Sequence, residues 1–173
     1  MFGGEHPNSF TQNTIISLGN DSYIEILAPR ADADSIPDWI AKLDSLAPVG
    51  WGVATRDIAV TKSKLEKLNL ITSNTNPGSR KTPRGDTLRW TTFGLQTDTD
   101  TPFPFFIKWD KNTIHPSRNA PTGCSLNRIG IISNSDALEK VLKSLDIHFE
   151  LTKAQQEKIM VVINSPKGQV TFK

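Results

Sequence analysis

Runs in which apolar and polar residues alternate predict a strand hairpin near the start of the chain. Thr14–Leu18 and Ser22–Leu27 are rich in Ile, Leu and Thr, and a Gly-Asn-Asp turn joins them. Because successive side chains of a strand point to opposite faces, Tyr23, Glu25 and Leu27 share one face. A carboxylate on such a face indicates either a cavity or an exposed sheet edge. Glu25 is therefore a candidate site residue.

Three stretches place apolar residues at the spacing of an amphipathic helix, and each begins with a residue that can cap it. Ser35 is the predicted cap of the first helix, which ends at Pro48. Asp57 is the predicted cap of the second. The third helix is capped by Ser135 or Asp136. These helices are interpreted as packing elements.

The stretch from Arg80 to Trp109 combines cations with aromatic residues in a predicted hairpin, after a turn predicted at Asn74–Gly78. Its two strand-like runs are separated by the polar tract Gln96–Thr101. Apolar walls with a few cations are typical of a pocket for a small anionic molecule. Alternatively, the strands alternate and the cations point into water. The candidate ligand-binding residues in this stretch are Arg80, Arg89, Trp90 and Lys108.

Two further stretches carry candidate site residues. In the short apolar strand Val49–Ala54, glycines flank Trp51 on both sides, which indicates that another backbone or a ligand comes close to one face. Trp51 is therefore a candidate ligand-binding residue. The polar segment 110–123 contains His115 and is long enough to lie across a pocket mouth.

The two ends of the chain are predicted to differ in their content of regular secondary structure. Residues 1–10 are rich in Gly, Pro and Asn and are predicted to be irregular. After residue 123, the pattern predicts a strand at Ser125–Ser133, a helix, and a hairpin formed by Lys158–Ile163 and Gln169–Phe172.

The element order repeats along the chain, which predicts an α+β fold. Residues 49–109 and 125–172 each read as strand, capped helix, connecting strand and hairpin, a βαβββ module. Modules of this kind have one open face, so we expect curved mixed sheets that form a cup. The predicted organisation is a remnant of a first module plus a linking helix at 1–48, a second module at 49–110 and a third at 111–173.

Composition and charge narrow the function classes. The chain has 173 residues and a formal net charge of +2, which is too small for the footprint of a nucleic-acid-binding protein. No apolar run approaches the length of a membrane span, and the start has no pattern of a secretory signal. The single cysteine, Cys124, allows no internal disulfide and is read as a small buried residue. We expect a cytoplasmic protein that binds neither nucleic acid nor membrane.

Seven short phrases, in this order, resemble the glyoxalase-like domain group of the vicinal oxygen chelate superfamily. They are Gly3–Pro7, Asn13–Gly19, Tyr23–Ile26, Gly85–Trp90, Pro104–Trp109, His115-Pro116 and Ser165–Gly168.

The resemblance implies paired βαβββ modules that, in the metalloenzymes of the superfamily, hold four metal ligands. Glu25 stands where the family carries its carboxylate. The first strand of that module is missing, so the chain is expected to be short at its N-terminus. Gly50 and Lys108 stand at the positions of two other ligands, and a Lys there would repel a metal. We therefore predict no metal and no other cofactor.

Three hypotheses for function follow. The first is a cup that binds a small, anionic molecule through Glu25, Trp51, Arg80, Arg89, Trp90, Lys108 and His115. The second is a lyase- or isomerase-type enzyme, either with a metal on His6, Glu25 and His115 or with Glu25 or His115 as general base. The third is an interaction module in which the open sheet edge left by the missing strand is covered by a loop or by a second copy, as a homodimer.

Overall fold

A computed structural model describes residues 1–6 and 9–173, apart from the side chain of Trp39. Pro7, the last residue of the first family-like phrase, therefore lies outside the described residues. The elements are β1 (Phe2–Glu5), β2 (Thr11–Gly19), β3 (Ser22–Pro29), α1 (Asp38–Ala41), β4 (Gly52–Ala54), α2 (Ile58–Glu66), β5 (Asn76–Lys81), β6 (Thr87–Phe93), β7 (Phe105–Trp109), α3 (Pro116–Asn119), β8 (Ser125–Ile132), α4 (Asp136–Ser144), β9 (Glu150–Thr152), β10 (Lys158–Ser165) and β11 (Gly168–Phe172). The predicted α+β class is confirmed. None of the helices in the described part of the chain is long and apolar enough to cross a membrane.

The strands form three sheets. The first sheet has the order β1-β2-β3, the second β4-β7-β6-β5 and the third β11-β10-β8-β9. In the first sheet all pairs are antiparallel, whereas the second and third each contain one parallel pair, β4 with β7 and β8 with β9. A parallel pair needs a crossover connection, and in these two sheets the crossover carries a helix.

The first sheet confirms the predicted hairpin of β2 and β3 but corrects the prediction for residues 1–10. Residues 2–5 form β1, which pairs with β2, so the sheet has three strands rather than two. Consequently β2 is the central strand, and β3 lies at an edge in the described part of the chain. The open edge predicted beside β2 is therefore wrong, because β1 occupies it. The homodimer itself stays a prediction, and sedimentation velocity is the measurement that tests it.

The second and third sheets share an element order along the chain but differ in space. In the second, β4 lies beside the last strand, β7; in the third, β8 lies between β9 and β10. The two segments therefore repeat the order of elements along the chain, but they do not repeat the arrangement of strands within the sheet. The boundaries of the three predicted modules stay a prediction.

The second sheet also places its turns differently from the prediction. The hairpin of β6 and β7 is confirmed. The predicted turn at Asn74–Gly78 is wrong in its second half, because Asn76–Lys81 is strand β5 and pairs with β6. The turn lies instead at residues 82–86, where the amide of Thr82 donates to the carbonyl of Asp86 at 2.8 Å.

The helix caps at Asp57 and Ser135 are confirmed. The Asp57 carboxylate accepts from the amide of the third residue of its helix at 3.1 Å, and the Ser135 hydroxyl does the same for α4 at 3.2 Å. The first predicted helix is wrong in start and length. It spans only Asp38–Ala41, and its N-cap is Pro37, without a side-chain cap bond. Leu46 is 61% exposed, so this stretch lacks the packed apolar face that stabilises a longer helix.

The buried core next to α2 fixes which face of the second sheet is free to form a cup. Phe93 of β6 and Phe106 of β7 stack in register and pack with Leu65 of α2 and Val141 of α4. Alternate residues of the same strands point to the opposite face. The face opposite Phe93 and Phe106 carries Trp90 and is turned toward the first sheet.

Candidate functional site

The candidate site lies between the facing surfaces of the first and second sheets. On the first sheet, Ile15 of β2 is paired with Glu25 of β3. On the second, Arg80 of β5 is paired with Leu88 of β6. Paired residues share a face, so these four side chains mark the two inner surfaces.

Glu25 sits among hydrogen-bond donors of the first sheet. Nε2 of His6 lies 2.9 Å from its Oε1, and the Asn13 side-chain amide donates to the same oxygen. Burial acts to raise the pKa of Glu25, but the hydrogen bonds from His6 and Asn13 and the positive charge of Arg80 outweigh it, so the pKa lies below its usual value. Glu25 is therefore a carboxylate at neutral pH.

Asn13 connects Glu25 to Arg80. Its side chain is buried, donates through Nδ2 to Glu25, and accepts at Oδ1 from Nη1 of Arg80 at 3.1 Å. Arg80 Nη1 also lies 3.4 Å from the carbonyl oxygen of Gly4. The groups that hold the guanidinium directly are thus neutral amide oxygens.

The Gly3-Gly4 pair makes these contacts sterically possible. A Cβ on Gly3 would collide with Oδ1 of Asn13, and Gly4 adopts a φ of +120°, which disfavours residues with a side chain. Both glycines belong to the first family-like phrase. The sequence therefore contained the signal for this contact, although its structural meaning was not predicted.

Arg80 is half-buried, and some of its hydrogen-bond donors have no acceptor among the described residues. Burial lowers the pKa of its guanidinium, whereas the nearby Glu25 and Tyr23 raise it. Nε is shielded from solvent and has no partner among the described residues. Nη2 makes no hydrogen bond to any described residue either, since Arg80 donates only through Nη1. Two residues on, the Thr82 hydroxyl is also shielded and without a partner in residues 1–6 and 9–173.

A cavity of about 230 Å³ borders Arg80. Its wall is mainly apolar and includes Ile15 and Leu88 from the two inner surfaces. The other lining residues are Met1, Phe2, Gly3, Arg80, Thr82, Pro83, Arg84, Ile114, Pro116 and Asn119. Three of these come from the segment 110–123, so that segment does border the pocket. Glu25 and His115 are not among the residues of the wall.

His115 serves as the N-cap of α3. Its Nδ1 accepts from the Ser117 amide at 3.4 Å and lies 2.8 Å from the Ser117 hydroxyl. Burial lowers the pKa of the imidazole, Asp21 opposes this effect, and Arg118 adds to it. A capping nitrogen must keep its lone pair for the helix, which leaves Nε2 as a donor. His115 therefore has a structural role that competes with a role as general base.

An aromatic row runs from Trp90 to Tyr23 across the two sheets. Trp90 and Trp109 are paired on adjacent strands with ring centroids 5.6 Å apart, and Trp109 meets His115 edge-on at 5.5 Å. The ring of Tyr23 also meets that of His115 edge-on, with the centroids 5.5 Å apart. Burial, together with the charge of Glu25, raises the pKa of Tyr23, so its phenol stays neutral. The row therefore connects Tyr23 of the first sheet with Trp90 and Trp109 of the second through His115.

The structure does not bring Trp51 to this site. Trp51 packs with Ile131 and Leu138 in the core of the third sheet, and its indole donates to the carbonyl of Pro102 at 2.8 Å. The close approach that its flanking glycines predicted is made by the ring of Phe105 at Gly52. Phe105 is itself 45% exposed, but Trp51 is buried in the core, so Trp51 is removed from the candidate site.

Arg89 and Lys108 are not brought to it either. Both are exposed, and each alternates with residues of the inner face: Arg89 lies between Leu88 and Trp90, and Lys108 precedes Trp109. They therefore point to the helix side of the second sheet. For these two cations, the alternative interpretation of the hairpin, in which cations point into water, describes the structure.

The described residues do not fit the metal that the fold family implies. No group of three His, Cys, Asp or Glu side chains in residues 1–6 and 9–173 lies close enough to hold a metal ion. The side chains of His6 and Glu25 do lie close together, but they pair with each other rather than with a third ligand residue. His115 is engaged with α3, Tyr23 and Trp109.

Comparison with known proteins gives a family and a fold. A family model described as a glyoxalase-like domain matches residues 2–145. The crystal structure of a hypothetical protein from Staphylococcus aureus is similar, with a TM-score of 0.72 and 17% identity over 99% of this chain and 88% of that chain. At this identity the likeness shows the fold alone. No curated protein matches the sequence.

Proposed function

Since the chain belongs to the glyoxalase-like domain family, we propose that it binds a small, anionic metabolite in the cup between its first and second sheets. Arg80 is the proposed anchor. Tyr23 and Glu25 of the first sheet and Trp90 of the second lie outside the wall of the cavity that borders Arg80. Such binding needs no metal, and none is proposed.

The observation that carries the proposal is the state of the Arg80 guanidinium. It is half-buried, its direct partners are neutral oxygens, and Nε has no partner among the described residues. A shielded donor without an acceptor costs free energy, on the order of 1–3 kcal/mol. An anion next to the guanidinium would remove that cost and neutralise the charge.

The adjacent cavity fits a ligand of limited size. Its volume of about 230 Å³ lies below the ~300 Å³ at which pockets for drug-sized ligands begin. Its wall is mainly apolar, so part of the ligand is apolar as well.

A second candidate function is general-base catalysis by Glu25, favoured by its contact of 2.9 Å with His6. A carboxylate paired with an imidazole is a common arrangement for proton transfer. However, the lowered pKa of Glu25 makes it a weak base, and Glu25 does not line the cavity. Binding is therefore the function that the geometry supports better.

Thermal unfolding with a panel of small carboxylates and phosphates tests the proposal. We expect at least one anion to raise the melting temperature of the native protein, and Arg80→Met to abolish that shift while the variant remains folded. Arg89→Met is the matched control, because Arg89 lies on the neighbouring strand but on the exposed face. A ligand shift that survives Arg80→Met and disappears in Arg89→Met would contradict the proposed anchor.

Glu25→Gln separates the two candidate functions. If the chain is a binding protein, this variant keeps the anion-induced shift, because Glu25 is not an anchor. If Glu25 is a general base, a turnover assay that follows the bound anion by NMR shows product with the native protein and none with Glu25→Gln. Absence of turnover in both proteins would remove the catalytic candidate.

A further inference from the structure

We infer that the ligand is a monocarboxylate with an apolar body, gripped side-on by Nε and Nη2 of Arg80 and contacted by the hydroxyl of Thr82. This inference rests on the proposed function and deepens it, because it names the chemical class of the ligand and a second residue that recognises it. It separates a carboxylate from phosphate and from multiply charged acids.

One edge of the Arg80 guanidinium remains available for a ligand. Nη1 of Arg80 is occupied by Asn13 and Gly4. Nε and Nη2, which lie together on the other edge, have no partner among the described residues. Two parallel N–H groups on one edge match the two oxygens of one carboxylate. The geometry thus favours a planar, two-oxygen acceptor.

Two other arginines of this chain use the same edge for the same purpose. Arg30 donates to the carboxylate of Asp32 through Nε at 2.9 Å and Nη2 at 2.6 Å. Arg118 donates to Asp21 through Nε at 3.1 Å and Nη2 at 3.3 Å. Both pairs are at the surface, where solvent weakens them. At Arg80 the surroundings are drier, so the same contact with a ligand carboxylate contributes more.

Thr82 offers a hydroxyl close to the Arg80 guanidinium. Its hydroxyl is shielded and has no partner in the described part of the chain, and Thr82 lines the same cavity as Arg80. Thr82 is the first residue of the turn that follows β5, two residues beyond Arg80. A hydroxyl can donate to a carboxylate oxygen as a third hydrogen bond. Because both atoms are shielded, this contact requires the Arg80 and Thr82 side chains to rotate toward the ligand.

The charge and the apolar surface of the cavity wall distinguish between classes of anion. Arg80 and Arg84 are the charged side chains on the cavity wall, and Arg84 is exposed to water. Among the side chains of the wall, the half-buried charge is therefore that of Arg80, whereas the terminal ammonium of Met1, which also lines the wall, donates to the carbonyl of Ile15 at 3.0 Å. Ile15, Leu88 and Ile114 cover much of the remaining wall. A phosphate or a dicarboxylate would bring a second negative charge and more oxygens against these apolar side chains, which is unfavourable.

Isothermal titration calorimetry with defined probes tests the inference. Benzoate and hexanoate represent monocarboxylates with an apolar body, benzamide is the neutral analogue of benzoate, and inorganic phosphate and succinate represent the competing classes. We expect the native protein to bind benzoate or hexanoate more tightly than the other three probes. Thr82→Val is expected to weaken that binding by about tenfold, the effect of one hydrogen bond to a charged group. Thr82→Ser restores it, because it keeps the hydroxyl.

The outcomes distinguish this inference from the proposed function. Phosphate or succinate binding more tightly than the monocarboxylates, and lost in Arg80→Met, overturns the ligand class and leaves the proposed function intact. Binding of monocarboxylates that is equal in the native protein and Thr82→Val overturns the role of Thr82. If no probe binds in a manner that depends on Arg80, both the inference and the proposed function are overturned. Benzamide binding as tightly as benzoate overturns the carboxylate contact.

Discussion

At the scale of single residues, Arg80 carries a positive charge into a place where its direct partners are neutral. Asn13 and Gly4 supply oxygens at 3.1 and 3.4 Å, and the carboxylate of Glu25 is one side chain further away, behind Asn13. Neutral acceptors hold the guanidinium in position without cancelling its charge. The charge therefore remains available to an anion, which a direct ion pair with Glu25 would prevent.

The contact between Asn13 and Arg80 requires a residue without a side chain at position 3. In Gly3→Ala, the added Cβ would collide with Oδ1 of Asn13 and lie 2.9 Å from Cδ1 of Ile15. We expect this variant to lose roughly 1–3 kcal/mol of unfolding free energy, measured by urea denaturation. Gly50→Ala is the control, since nothing lies within 4 Å of a Cβ there. Equal stability of the two variants would contradict the packing described for β1.

His115 gives the protein a predicted pH dependence. Burial lowers the pKa of the folded imidazole below its ordinary value of 6.5, which the unfolded chain keeps. The unfolded state then binds the proton first as the pH falls, so stability decreases below about pH 6.5 and is unaffected by this group above it. Urea denaturation between about pH 5 and 8 measures the effect.

The matched variant for this effect is His115→Asn, because Asn also caps helices but does not titrate. We expect its stability to fall less steeply with decreasing pH than that of the native protein. Parallel pH profiles for the two proteins would show that His115 titrates alike in the folded and unfolded states.

At the scale of elements, a cap stabilises a helix only where the helix has something to pack against. Ser135→Ala is expected to cost about 1 kcal/mol, because the hydroxyl satisfies the amide of Leu138 at the start of α4. Ser35→Ala is expected to cost almost nothing, since α1 begins at Asp38 without a side-chain cap. Chemical denaturation of both variants measures the difference. A loss in Ser35→Ala as large as that in Ser135→Ala would contradict the short α1.

The same comparison explains which elements could be predicted from the sequence. α2, α4 and the hairpins of β2–β3, β6–β7 and β10–β11 were predictable, because alternation, helical spacing and caps are local signals. β1 was not, because a Gly-rich segment becomes a strand only through its partner β2. The strand order of the third sheet was not either, since it depends on long-range pairing that the order of elements does not encode.

The candidate site was predictable only in part. Glu25 and Arg80 do belong to one connected cluster, and alternation along β3 correctly placed Glu25 on the face of Tyr23. Arg89 and Lys108 could not be assigned to a face, because the register of β6 and β7 was unknown. Asn13 is a single amide within a strand, and its role appears only when a second sheet faces it.

At the scale of the whole molecule, the cup is formed by two sheets that come from different segments of the chain. The first sheet ends at residue 29 and the second begins at residue 52, so the site depends on contacts between distant segments. Arg80 and Asn13 are 67 residues apart in sequence and join the two sheets. An anion bound at Arg80 would therefore stabilise the association of the sheets as well as the side chain itself, by mass action.

The most direct measurement of this account is the Arg80 Nε–Hε signal in a proton–nitrogen correlation spectrum of the ¹⁵N-labelled protein, assigned by its loss in Arg80→Lys. As benzoate is added, we expect a progressive and saturable shift of that signal, with the Arg89 signal unchanged. An Arg80 signal that stays in place while benzoate, hexanoate and phosphate are each added to high concentration would contradict that expectation.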